Sequence, residues 1–225
     1  MAGLTDFKII RVDLPGSARS LLPTSEALSI NSYVQTIQSL LDSMNIESVD
    51  VIAHSMGTII ASHLAVEYPL TVKSLALFGP LLSPPDQGRA GIRARASLAR
   101  DSLNGMQEIA DAIVAGATGQ QTQDSQPAVL ALVRESIMRQ SQEGYAQSCE
   151  ALAGAQSAAV EEIKIPVLLI TGDQDVVAPP EAVNIFASRL TNVKVKVFEE
   201  CGHWTTFEKP KACLQELHSF YQIHQ

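Results

Sequence analysis

This sequence has no excess of positive charge, no cysteine pairing pattern and no long apolar run. Lys and Arg number 16 against 24 Asp and Glu, for a net charge of -8. With no basic patch to neutralise phosphates, nucleic acid is excluded as a partner, and acidity of this size serves solubility. The three cysteines, Cys149, Cys201 and Cys213, are widely spaced and include no CxxC pair. That argues against a disulfide framework or a zinc site and suits a reducing compartment. The first residues, Met1-Ala2-Gly3-Leu4-Thr5-Asp6, have neither the basic region nor the apolar core of a signal peptide. No apolar run approaches the roughly eighteen residues of a membrane span. The expected setting is cytoplasmic, away from membranes, with the oligomeric state left open.

What remains is an ordinary globular composition: 225 residues, 46% hydrophobic and 18% charged, enough for one domain with a sizeable core and an inserted subdomain. Phe7–Val12 is a short β-type run, and Asp13–Ser20 is a loop rich in turn formers. Over residues 31–44, Val34, Ile37, Leu40, Leu41 and Met44 recur at helical spacing, with Asn31 or Ser32 as the cap. Val49–Ala53 is continuously apolar, as expected of a parallel strand covered on both faces. A helical run follows to Tyr68, where Pro69 stops it, and Val72–Phe78 is a further buried strand. From Leu81 to Glu162 no strand-like run occurs, and helices are expected over 88–101, 105–116, 126–140 and 143–153. The alternation resumes with a strand at Ile165–Thr171, a helix over 180–190, the strand Val193–Phe198 and a closing helix over 209–222. Alternating Val and Lys in Val193–Phe198 suggests a half-exposed edge. Such an order predicts an α/β fold with a mostly parallel sheet and helices on both faces. Residues 1–80 and 163–225 form its core, and 81–162 form a helical cap.

Three short stretches carry chemistry. In Ala53-His54-Ser55-Met56-Gly57 a serine sits between small residues where a strand turns into a helix, the spacing of a nucleophile elbow with alanine at the first small position. A serine hydroxyl needs a base within reach and an acid to orient that base. Gly172-Asp173-Gln174-Asp175 follows a buried strand directly, where open α/β sheets place functional groups. Asp175 is favoured as the acid because it lies further into the loop, before the apolar Val176-Val177-Ala178-Pro179. Asp173 is assigned to backbone amides of its own turn. Gly202-His203-Trp204 follows the last strand. His203 is the one histidine on a loop at a strand end after the acid, whereas His54 is locked beside the elbow, His63 lies on its helix, and His218 and His224 fall in the C-terminal helix or tail. Trp204, beside the base, is a candidate wall of the substrate pocket.

In that order, Ser55, Asp175 and His203 resemble the α/β-hydrolase superfamily over nearly the whole chain. Asp13-Leu14-Pro15-Gly16-Ser17-Ala18-Arg19-Ser20 is similar to the loop after that family's fourth strand. The resemblance implies Ser55 as nucleophile, Asp175 as acid, His203 as base and the Met56 N–H as an oxyanion donor, with no metal or organic cofactor. The cap segment Glu143-Gly144-Tyr145-Ala146-Gln147-Ser148-Cys149-Glu150-Ala151-Leu152 is similar to 3-oxoadipate enol-lactonases. The function implied is hydrolysis of an ester or lactone of a small, largely apolar carboxylic acid. Two alternatives stand beside it: a weakly active or non-catalytic binding homologue, and a C–C bond hydrolase or cofactor-free haloperoxidase-like enzyme with the same residues. The family's sheet also has earlier strands and a His-Gly loop supplying a second oxyanion N–H, yet only six residues precede Phe7. The expectation is an N-terminally truncated form lacking the strand between 7–12 and 49–53, whose neighbours would pair with each other or stay unsatisfied.

Overall fold

The computed structural model describes Leu4 and residues 7–23, 27–101 and 103–223; His224 and, apart from Leu4, the first six residues lie outside the described residues. The elements follow in the order α1 (Ile30–Ser43), β1 (Val49–His54), α2 (Met56–Glu67), β2 (Val72–Phe78), α3 (Asp86–Asp101), α4 (Gly105–Ala117), α5 (Gln120–Ser125), α6 (Pro127–Met138), α7 (Gln142–Gly154), β3 (Val167–Gly172), α8 (Pro180–Ser188), β4 (Val193–Phe198), α9 (Thr205–Glu208) and α10 (Pro210–Ile223). The four strands form one parallel sheet in the order β1-β2-β3-β4. This is the expected α/β architecture, a parallel sheet flanked by helices.

Period-two alternation in the central strands feeds two separate cores. Leu75 and Leu77 of β2 and Val167 and Leu169 of β3 face a cluster with Tyr33 and Val34 of α1, Ile59, Ile60 and Leu64 of α2, and Val183 and Phe186 of α8. Ala76, Phe78, Leu168 and Ile170 face the opposite side, where Cys213, Leu217, Phe220 and Tyr221 of α10 cover them. α2 is apolar nearly all round, as a helix pressed into a core must be, with seven of its residues buried. A third cluster joins α3, α4, α6 and α7 through Ala96, Ala99, Met106, Ile109, Ile137 and Cys149. Between β2 and β3 the described residues contain helices and no strand. All three cysteines are buried and unpaired.

The structure corrects three local expectations. Phe7–Val12 is not a strand: Ile9 and Val12 are exposed, and Phe7 rests its ring 5.2 Å from Tyr221. β-type residues fit a pleated surface rather than create one, and here no strand lies beside them. Val49–Ala53 is not the fully covered strand expected: among the described residues β1 pairs only with β2, so it is the edge of the sheet and is partly rather than fully buried along its length. Val49 and Ser55 both donate towards β2. By the two-residue repeat, the N–H groups of Asp50, Ile52 and His54 therefore turn to the open side. The cap of α1 is Ser29 rather than Asn31 or Ser32, with Ser29 and Ser32 exchanging side-chain bonds in a capping box. A short helix also appears at Gln120–Ser125, in a Gln-rich stretch with no apolar period to announce it. β4, at the other end of the sheet, is the half-exposed edge its Val/Lys alternation suggests.

Candidate active site

The sheet turns sharply at the end of β1. Ser55 has φ 53° and ψ -125°, a left-handed backbone that a non-glycine residue adopts only under constraint. The constraint is visible. Ser55 N–H donates to the Phe78 carbonyl at 3.0 Å, and the Thr58 hydroxyl donates to the Ser55 carbonyl at 2.6 Å. Leu81 N–H in turn donates to Thr58 Oγ1 at 2.9 Å, so the turn is tied to the segment leaving β2. Met56 opens α2; Thr58 N–H, in the first turn, donates to the Ser55 carbonyl at 2.8 Å, while Ser55 itself offers no side-chain cap to the N–H groups there.

His203 brings the other two groups to this turn. Its Nε2 lies 2.9 Å from Ser55 Oγ, and its Nδ1 lies 2.9 Å from Asp175 Oδ2. An ionised carboxylate only accepts, so Nδ1 carries the proton and Nε2 is left to accept from the serine hydroxyl. A hydroxyl held this way can pass its proton to the ring as it attacks a carbonyl carbon. Asp175 and His203 are only 2% and 4% exposed. Burial pushes the Asp175 pKa up, but the bond from His203 and the backbone N–H groups of Ala178 and Val177 outweigh it and hold the carboxyl below its ordinary value. Asp173, by contrast, accepts from Cys201 N–H at 3.1 Å, in the neighbouring loop rather than its own turn.

His54 plays a different part. Its Nε2 donates to the His203 carbonyl at 2.9 Å, and its ring lies between those of His203 and Trp204, with centroids at 4.8 and 5.3 Å. Burial, reinforced by the neighbouring imidazole, lowers its pKa to about 4, so it is neutral near pH 7. His63 is remote, bonded to the Gln156 carbonyl. Trp204 packs against the cluster of the helical segment, and its Nε1 is buried with no hydrogen-bond partner among the described residues. A cavity of about 300 Å³ opens instead beside the free edge of β1, lined by Leu4, Ile52, His54, Phe78, Leu214 and Leu217. Neither Ser55 nor Trp204 lines it.

Sequence reasoning missed the groups that make room and hold position. Gly79, just past β2, has φ 54°, and a Cβ there would lie 2.6 Å from His203 Cε1. Only glycine both adopts that backbone and leaves space for the imidazole. The Thr171 hydroxyl donates to the Ala178 carbonyl at 2.7 Å and lies 3.1 Å from Asp175 Oδ2, securing the acid loop. Glu208 is 3% exposed and gathers backbone N–H groups around His203. Its only sequence signal is its place one turn beyond the histidine. Among the described residues, no group of three or more His, Cys, Asp or Glu could hold a metal ion, and no helix is long and apolar enough to cross a membrane.

A family model described as the alpha/beta hydrolase fold matches residues 2–210. A 2-hydroxy-6-oxononadienedioate/2-hydroxy-6-oxononatrienedioate hydrolase of Paraburkholderia phymatum is 27% identical over 224 residues, covering 95% of this chain and 76% of the relative. Among solved structures, an enol-lactonase from Burkholderia xenovorans superposes with a TM-score of 0.83 at 22% identity, over 93% of this chain and 78% of the other. A thermophilic esterase from Thermogutta terrifontis gives 0.86 at 19% identity, over 94% and 78%. At those identities the two structures speak to the fold.

Proposed function

The chain belongs to the alpha/beta hydrolase fold family, and from that premise we propose that it is a serine hydrolase cleaving an ester or lactone of a small, largely apolar carboxylic acid. The observation that carries the reading is the unbroken relay from Ser55 Oγ through His203 to Asp175, with both links at 2.9 Å. Ser55 attacks the carbonyl carbon, and His203 takes its proton at Nε2 while Asp175 stabilises the imidazolium. The Met56 N–H, at the start of α2, receives the developing oxyanion. His203 returns the proton to the leaving alcohol, and water then releases the acyl group by the reverse sequence. No step calls for a metal or organic cofactor. Residues 81–162 act as a cap over a core formed by 1–80 and 163–225, Trp204 contributes to the pocket wall, and the reaction belongs to the cytoplasm.

A fluorophosphonate probe tests the first step. It is expected to label the protein, and Ser55→Ala is expected to abolish both labelling and turnover of p-nitrophenyl acetate; labelling that survives the substitution rules Ser55 out as nucleophile. Complete absence of turnover by the parent chain favours a binding role instead. Relatives named as hydrolases of 2-hydroxy-6-oxononadienedioate support a second reading, hydrolysis of a carbon–carbon bond beside a ketone by the same residues. Comparing rates on such 2-hydroxy-6-oxo dienedioates with rates on esters and lactones separates the two.

A further inference from the structure

We infer that Glu208 is a positioning residue that sets the orientation of His203 and ties it to the helical segment at Ala117–Thr122; the inference rests on the reading of His203 as the base. The Glu208 carboxylate is buried and collects donors from two directions. On the histidine side it accepts from Gly202 N–H and Trp204 N–H, both at 3.1 Å. On the other side it accepts from Gly119 N–H at 2.7 Å and from the Thr122 hydroxyl at 2.8 Å. Between those bonds, His203 N–H itself donates to the Ala117 carbonyl at 2.9 Å.

Three successive peptide groups, those carrying the N–H of residues 202, 203 and 204, are thus each fixed by an acceptor outside the loop. With its flanking peptide planes held, the Cα–Cβ direction of His203 is set before the ring meets Ser55 or Asp175. The two sides of this seam also touch backbone to backbone. A Cβ at Gly202 would come within 2.6 Å of Gly119 N and 2.7 Å of the Ala117 carbonyl oxygen, so no side chain can keep the surfaces apart. The acid loop joins the same anchor, because Gln120 N–H donates to Gln174 Oε1 at 2.7 Å. A shift of the α4–α5 junction must therefore carry the histidine and acid loops with it. Misplacing a catalytic group by about 1 Å costs on the order of a hundred-fold in rate, so this seam lets the helical segment govern the base without touching it.

Glu208→Gln tests the inference, since the amide keeps shape and size but turns an N–H₂ towards N–H donors. The expected result is a kcat for p-nitrophenyl acetate lowered about ten- to hundred-fold with KM changed less than about threefold. In substrate-free protein, the downfield resonance of the His203 Nδ1 proton, identified by its loss in His203→Ala, is expected to move. Thr122→Val, which removes a single donor, is expected to shift both readouts in the same direction by less, and to add nothing on top of Glu208→Gln. If Glu208→Gln does not fold, Thr122→Val decides alone. An unmoved Nδ1 resonance in the folded variants overturns the inference, as does an unchanged kcat. If the parent chain hydrolyses nothing, the proposed function fails, but the resonance still decides whether Glu208 positions His203.

Discussion

The two halves of the site rest on unequal foundations. Asp175 follows β3, which is bonded on both edges and buried along its whole length, and His203 follows β4, an edge strand whose loop is anchored from outside the sheet. Their loops are then fixed again by Thr171, by backbone N–H groups on Asp175 and by the bonds that gather at Glu208. Ser55 follows β1, bonded on one edge and only partly buried. What holds Ser55 is local: a strained turn, a threonine hydroxyl and one bond to the end of β2. The difference teaches that the proposed nucleophile can be held by its own turn and a few bonds to one neighbouring strand. A base must meet two partners at once and needs support from elements distant in sequence.

The comparison can be broken most severely at the acid. Asp175→Asn keeps the shape of the side chain but no longer demands a proton on His203 Nδ1, so the ring can present N–H to Ser55. On the proposed mechanism, kcat is expected to fall about 10³- to 10⁴-fold, measured with p-nitrophenyl acetate, while far-ultraviolet circular dichroism stays unchanged.

A smaller effect, but a direct measure of the two foundations, is expected in hydrogen exchange. The outward amides of Asp50, Ile52 and His54 should exchange at least about a hundred-fold faster than those of Leu168 and Leu169, which open only with the whole core. Equal protection would show that β1 is held by something other than its ladder with β2.

The smallest effect concerns the contact between the halves, His54 of β1 against the His203 carbonyl. Its folded pKa of about 4 lies below the ordinary 6.5. Between those values the unfolded chain binds a proton that the folded chain does not, so stability is full above pH 6.5 and is lost as pH falls towards 4. The slope from this group reaches at most about 1.4 kcal/mol per pH unit. Asp175, also lowered, adds its own loss below the ordinary carboxyl range. Urea unfolding of the parent chain and of His54→Gln at pH 7 and pH 5 checks the first window. The variant is expected to lose less stability between the two pH values.

The site was legible because Ser55, Asp175 and His203 each follow a strand-like run, at the carboxyl ends of parallel strands, in the order Ser, Asp, His. The continuous apolar runs Leu75–Phe78 and Val167–Ile170 likewise read as strands, because their residues are buried on both faces. Phe7–Val12 carries similar residue types and makes no strand, since the property that decides is a neighbour, which composition does not encode. Gly79 and Glu208 were hidden for a related reason. Their importance lies in what stands within about 3 Å of them, an imidazole ring in one case and four donors from the histidine loop and the α4–α5 region in the other, and sequence spacing barely announces either.

The three unpaired cysteines carry a practical consequence. Burial raises the pKa of Cys149 and Cys201 and pushes that of Cys213 up to about 12, so the folded protein presents almost no thiolate to a reagent. Cys149 sits in the helical segment, Cys201 in the histidine loop and Cys213 in α10. Modification of each thiol therefore clocks the opening of a different region, and the untouched wild-type chain is its own three-channel probe of local unfolding.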